Sequence, residues 1–326
     1  MRINWLGFIL LILLSTAKSA AVFAFDAQGH RGARGLLPEN TLPAFARALS
    51  IGVDTLELDV VMTRDGVVVV THNPHLAPET TRNQDGQWLH EQGPAIQTLS
   101  LAELKKYDVG GINPESRYAK RFPHQSAVEG VRIPTLVEVI DLLKRSGPNS
   151  VRLNIEIKLS PSDPSPSPHR AASAVLAVLR AEDFLDRAII QSFNWQVLKE
   201  VHQLEQEMET SFLSVEQNWM DTVGRNQEGA SPWTAGLDVN EHAGSLPQMI
   251  KAAGGDVWSS YYKEVTAESL AQAHAIGLRV SVWTVNEPQQ MIDLIALGVD
   301  SIITDYPDRL INVLKELQMP LPKSWP

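Results

Sequence analysis

Two hydrophobic patterns alternate along most of the chain. Short runs rich in Val, Ile and Leu read as strands: VDTLELDVVMT (53–63), GVVVVTHN (66–73), SVRLNIEIKL (150–159), RAIIQSF (187–193), ETSFLS (209–214), GDVWSS (255–260), LRVSVWTV (278–285) and VDSIITD (299–305). Between them lie stretches whose apolar positions recur every three or four residues, as an amphipathic helix requires. These are TLPAFARALSIG (41–52), PTLVEVIDLLKRSG (134–147), AASAVLAVLRAE (171–182), WQVLKEVHQLEQE (195–207), TAESLAQAHAIG (266–277) and PQQMIDLIALG (288–298). Most stop at or near a glycine or a polar residue, where helices commonly end. Strand and helix in alternation imply a parallel sheet. About eight such units predict a closed (β/α)8 barrel rather than a doubly wound open sheet, and no GxGxxG follows an early strand.

The rhythm breaks twice. Residues 73–132 are rich in Pro, Gly, Gln and charge and contain only one short helical stretch, LSLAELKKYD, so they read as an insertion after the second barrel strand. This insertion is expected to cap the mouth of the barrel and to influence substrate choice. The second break, SPSDPSPSPH (160–169), has the proline and serine density of an exposed loop. No repeat of fixed period is present.

Ahead of the first unit stands a different pattern. Arg2, the ten apolar residues WLGFILLILL and the small-residue stretch STAKSAAVFA predict an export signal spanning 1–24, followed by a barrel domain over 25–326. Ten apolar residues fall short of the roughly 20 needed to span a bilayer, so no stable membrane anchor is expected after cleavage. The 326 residues contain no cysteine, which removes disulfides, lipoprotein-type acylation and thiolate metal ligands together. A periplasmic location fits best, with secretion as the alternative. The net charge of −10 and the lack of any basic run argue against a nucleic-acid partner. A small anionic substrate stays open, because a local cluster of cations or a bound metal reverses the field inside one cleft.

Candidate chemistry sits at strand ends, where a barrel keeps its active site. Glu57 and Asp59 are two residues apart and share a strand face, as do Glu156 and Lys158. Three carboxylates pointing into a barrel are costly to bury unless they hold a hard cation, and oxygen ligands favour calcium or magnesium over zinc. His30 and His72 each close a predicted strand beside this cluster, which points to acid–base chemistry next to a metal. Arg31 and Arg34 add two permanent cations next to a helix start.

The stretches HRGARGLLPENTLPAF, GVDTLELDVVMTRDGVVVVTHN, LNIEIK, QSF, VWTVN and GVDSIITDYP resemble, in this order, the landmarks of the glycerophosphodiester phosphodiesterases, and the likeness runs from about Gly29 to Arg309. The resemblance implies a TIM barrel, one divalent cation (Ca2+ or Mg2+), and hydrolysis of a small glycerophosphodiester to sn-glycerol 3-phosphate and an alcohol. It implies Glu57, Asp59 and Glu156 as metal ligands, His30 and His72 as the acid–base pair, and Arg31 and Lys158 as phosphate-contacting cations. Phe193 and Trp283 match aromatic positions lining the pocket, and Glu39 a position near the site. The export signal and long insertion are similar to the periplasmic branch of the family. Rival readings are a lysophospholipase D acting on acylated diesters, a glycoside hydrolase using two of the carboxylates, and a non-catalytic barrel that binds its ligand.

Overall fold

The computed structural model describes residues 24–146, 150–163 and 165–325. The predicted export signal lies outside these residues except for Ala24, and none of the described helices is long and apolar enough to cross a membrane. Eight parallel strands close on themselves: β1 (Asp26–Gly29), β2 (Thr55–Met62), β3 (Arg152–Ile157), β4 (Ala188–Ser192), β5 (Thr210–Ser214), β6 (Val257–Tyr261), β7 (Arg279–Trp283) and β8 (Ser301–Thr304). Each pairs with its sequence neighbour, and β8 pairs with β1, so the sheet has no free barrel edge. Around it run α1 (Leu42–Ile51), α2 (Leu136–Ser146), α3 (Pro168–Ala181), α4 (Trp195–Leu204), α5 (Leu246–Ala252), α6 (Ala267–Ala275), α7 (Pro288–Leu297) and α8 (Pro307–Glu316). The expected (β/α)8 barrel is the fold observed.

Strand membership differs from the sequence reading at one point. The Val-rich run after Gly66 is not a barrel strand: Val68–Val70 turns back and pairs antiparallel with the end of β2, Val70 against Val60 and Val68 against Met62. The eighth strand is instead DAQG, β1, the short polar stretch that His30 follows and that is absent from the hydrophobic runs. The hairpin matters for position. It returns the chain to the barrel mouth, where the Thr71 backbone N–H donates to the Asp59 carbonyl at 2.9 Å, and His72 follows.

Alternation along the strands separates two environments. Leu56, Leu58 and Val60 of β2, with Leu153, Ile155 and Ile157 of β3, belong to the hydrophobic layer between strands and helices. The opposite face points into the barrel and is polar, where barrels ordinarily stack branched aliphatics. Asn154 donates to Gln28 at 2.9 Å and to Gln191 at 3.1 Å, Gln28 donates to Ser301 Oγ at 3.0 Å, and Gln191 donates upward to Glu57 at 3.0 Å. This ladder supports the carboxylates from below. Parallel register puts Asp59 beside Glu156, and Glu156 beside Gln191.

The insertion folds on a small core of its own, in which Leu76, Ile96, Leu104 and Ile133 pack with Val61 and Val69 of the hairpin. It closes over the loop that follows β1. Ser126 N–H donates to the Leu36 carbonyl at 2.9 Å, Gln125 Nε2 to the Arg34 carbonyl at 2.6 Å, and Tyr118 OH to Glu39.

That loop needs a glycine next to its key arginine. Gly32 has φ +84°, and a Cβ there would lie 2.7 Å from the Ala44 backbone carbon and 2.8 Å from its oxygen, at the start of α1. Gly66 has the similar φ of +82° but nothing within 4 Å. Gly66→Ala therefore carries only the left-handed backbone cost, about 1 kcal/mol. Gly32→Ala adds overpacking and is expected to lose about 2–5 kcal/mol in urea unfolding. Equal losses for the two variants would show that close approach to α1 is not what demands Gly32.

Candidate active site

Glu57, Asp59 and Glu156 come together at the C-terminal end of β2 and β3, each buried, with one oxygen of each lying within 4.8 Å of the others. Their outer atoms are held from several sides. Glu57 accepts from the Arg31 backbone N–H at 2.9 Å and from Gln191 at 3.0 Å, and Asp59 accepts from Asn40 Nδ2 at 2.8 Å. Lys158 Nζ sits 2.7 Å from Glu156 Oε1 and 3.1 Å from Asp59 Oδ1. Arg31 Nε lies 3.2 Å from Asp59 Oδ2.

The charges are unequally compensated. Burial, followed by the nearby Asp59 and Glu156 charges, pushes the Glu57 carboxyl well above the usual range. Burial also raises Glu156 to about 6, against the pull of Lys158. Asp59 goes the other way: burial opposes its ionisation, but Lys158 and Arg31 outweigh it and hold the group well below the ordinary value. Protein cations thus ionise one carboxylate fully and leave two short of positive charge. Asp59 Oδ1 is buried, with the Lys158 ammonium 3.1 Å away and no aligned hydrogen bond. An all-oxygen set with surplus negative charge fits a hard divalent cation.

Arg31 occupies a turn directly after β1 with φ +51°, a conformation rare outside glycine. Its Nη1 donates to Glu39 at 2.6 Å. Burial opposes ionisation of Glu39, but Arg31, Arg34 and His72 overcome it and hold the carboxyl below its usual value. The loop thus fixes one guanidinium against the tricarboxylate.

The two histidines are anchored differently. His30 Nδ1 is 2.7 Å from Asp305 Oδ1. Asp305 is itself gripped by Arg34 through two N–H···O bonds of 2.6 and 2.9 Å and by Asn286 Nδ2 at 2.7 Å. A carboxylate only accepts, so Nδ1 carries the proton and Nε2 presents its lone pair, 3.8 Å from Glu57 Oε2. Burial, then Arg34, lowers His30 to about 4 despite Asp305. His72 is half-buried and pairs through Nδ1 with Asn73 Oδ1 at 2.8 Å. Burial, Arg31 and Lys158 lower its pKa as well. Both imidazoles therefore rest neutral at pH 7.

One cavity of about 590 Å³ gathers these groups: His30, Arg31, Glu39, Glu57, His72, Glu156, Lys158, Phe193 and Trp283 all line it. Asp59 stands behind the wall, reached through Lys158 and Arg31. Phe193 and Trp283 are half-buried and meet edge to face at 5.4 Å, so they face the cavity instead of filling the core. Insertion residues Ala77, Glu79, Arg117, Tyr118 and Arg121 complete the mouth.

Sequence reading gave no role to Asp305, Gln191, Asn40 or Tyr118. Asp305 and Gln191 each had a readable cue, since one closes the last predicted strand and the other sits in RAIIQSF among apolar neighbours. Tyr118 had none, because its contact spans 79 residues between an irregular segment and a loop.

The sequence profile of the Glycerophosphoryl diester phosphodiesterase family matches residues 30–309. A glycerophosphodiester phosphodiesterase from Caldanaerobacter subterraneus subsp. tengcongensis is 29% identical over 292 residues, covering 88% of this chain and 96% of that one. Another from Bacillus subtilis is 30% identical over 289 residues, covering 88% and 85%. A solved structure from Silicibacter pomeroyi DSS-3 with the same family description superposes at a TM-score of 0.82 with 38% identity, covering 91% and 95%. The site residues from His30 to Asp305 all fall inside the matched span, and on that span the chain belongs to the glycerophosphoryl diester phosphodiesterase family.

Proposed function

We propose that this protein hydrolyses glycerophosphodiesters to sn-glycerol 3-phosphate and an alcohol, using one divalent cation, Ca2+ or Mg2+, held by Glu57, Asp59 and Glu156. The observation that carries this reading is the opening of an Asp305-anchored His30 and of His72 into the same cavity as a buried tricarboxylate. A cation bound there supplies polarisation of the phosphoryl group. Arg31 and Lys158 face the negative charge that builds on the phosphoryl oxygens during attack. Phe193 and Trp283 form the apolar wall against which the substrate's carbon skeleton rests.

His30 is the member built to accept a proton. Its lone-pair nitrogen faces the site, and Asp305 behind it stabilises the imidazolium that results. The proton comes from the attacking hydroxyl, whether that of water or of the substrate's own glycerol. His72, without a carboxylate partner at Nδ1 and neutral at rest, takes up a proton when the anionic diester binds beside it and gives that proton to the departing alkoxide. The protein acts after export, as the 25–326 domain in the periplasm, since the N-terminal pattern supports cleavage near Ala24. Membership of the family weighs against the glycoside hydrolase reading, and the presence of both histidines and all three carboxylates against a non-catalytic barrel.

His30→Ala and His72→Ala should each cut turnover roughly 10²–10⁴-fold. A diester with a nitrophenol leaving group needs little protonation on departure, so it should restore rate to His72→Ala and not to His30→Ala. Rescue of neither variant, with loss of cation binding in both, would make these histidines ligands or scaffold.

Asp305 positions His30, and its negative charge raises the imidazole pKa. Asp305→Asn removes that charge and leaves Arg34 unneutralised, so His30 becomes harder to protonate. The acid limb of kcat/KM, which reports the free base, should move to lower pH while the plateau falls by roughly 10²-fold. An unchanged acid limb would detach Asp305 from the reacting imidazole.

A further inference from the structure

The cavity has two unlike walls. One, formed by barrel strand ends, carries Phe193 and Trp283; the other, formed by the insertion, carries Arg117 and Arg121. The segment between Glu115 and Glu129 has no acidic residue, yet Arg117, Lys120 and Arg121 fall within five positions. This contrasts with a chain of net charge −10.

The other cations at the site are already committed. Arg31 pairs with Glu39 and Asp59, Arg34 with Asp305, and Lys158 with Glu156 and Asp59. The side chains of Arg117 and Arg121 make no hydrogen bond or ion pair with the described residues. Arg121 instead lies 5.7 Å over both the Tyr118 and Phe122 rings, which orient it without neutralising it. Glu79 lines the same mouth and forms no ion pair with either arginine.

The segment is also fixed in place. Tyr118, between the two arginines, bonds Glu39, the partner of Arg31, while Phe122 packs under Arg34 at 4.8 Å and Gln125 bonds the Arg34 carbonyl. The segment that carries the two arginines is thus tied to the loop after β1, and both side chains are exposed and without an ionic partner among the described residues. In a diester, the glycerol half is the constant part and carries no anion beyond the shared phosphate. Apart from the shared phosphate, an anion meeting the insertion wall comes from the other alcohol.

We propose that Arg117 and Arg121 form a subsite for a second anionic group, a phosphate or carboxylate, on the leaving alcohol. The inference rests on the diester hydrolysis proposed above. Guanidinium forks suit either anion, and a partly exposed site gives modest discrimination.

The test compares glycerophosphoglycerol, the same diester with a terminal phosphate or a terminal carboxylate on the distal alcohol, and glycerophosphocholine, in wild type and in Arg117→Gln/Arg121→Gln. The double variant should lose about three- to tenfold in kcat/KM on the anionic diesters. Glycerophosphoglycerol and glycerophosphocholine should stay within about twofold, and added salt should shrink the wild-type preference. The larger loss identifies which anion is read. Equal loss on all four substrates would mean that the arginines contact the shared phosphate, and no loss would mean that they are solvated surface; either overturns the subsite. Calorimetric binding of the phosphate-bearing diester to metal-free protein, wild type against double variant, decides the subsite even if no diester is turned over. In that event the proposed activity falls and the subsite stands or falls on the binding difference.

Discussion

Three carboxylates converging on one buried point set the terms for everything around them. Like charges a few ångströms apart in a low-dielectric interior cannot all ionise unless positive charge is brought to them. The protein brings part of it through Lys158 and Arg31, which is enough to ionise Asp59 and leaves Glu57 and Glu156 held back. The remainder suits a divalent cation. This incomplete neutralisation sets the cluster apart from a finished salt-bridge cluster, in which every carboxylate would have its own cation.

The rest of the architecture follows from that demand. A polar ladder of Gln28, Asn154 and Gln191 replaces the usual aliphatic filling of the barrel because Glu57 needs a donor from beneath. The loop after β1 adopts a left-handed turn at Arg31 so that its backbone N–H reaches Glu57 while its guanidinium bridges Asp59 and Glu39. The closing strand β8 supplies Asp305, whose charge is shared by Arg34 and His30. Barrel closure and site geometry are therefore one arrangement: β8 pairing with β1 is what brings Asp305 to His30.

Much of this was legible in the chain. Alternation at LELDV and NIEIK revealed the inward carboxylates because a strand's period of two survives any detail of packing. The strand count was legible too, but its membership was not. GVVVV reads as a better strand than DAQG, yet the first turns back as a hairpin and the second completes the barrel through pairing on both sides. Hydrophobic pattern reports burial and not direction, so it could not separate these cases. The partners of the candidate site residues were harder still. His30 and Asp305 are 275 residues apart, and Glu39 and Tyr118 are 79 apart in segments without periodicity. Such contacts are written in topology and loop closure, which only the folded chain displays.

The most direct test is a calorimetric titration of the metal-stripped protein with Ca2+ and with Mg2+, run beside Glu57→Gln and followed by assay on glycerophosphocholine. The account predicts saturable binding of one cation per chain, activity that returns in proportion to occupancy, and loss of both in a folded Glu57→Gln variant. Absence of a saturable site in the wild type, or undiminished binding in Glu57→Gln, would contradict it.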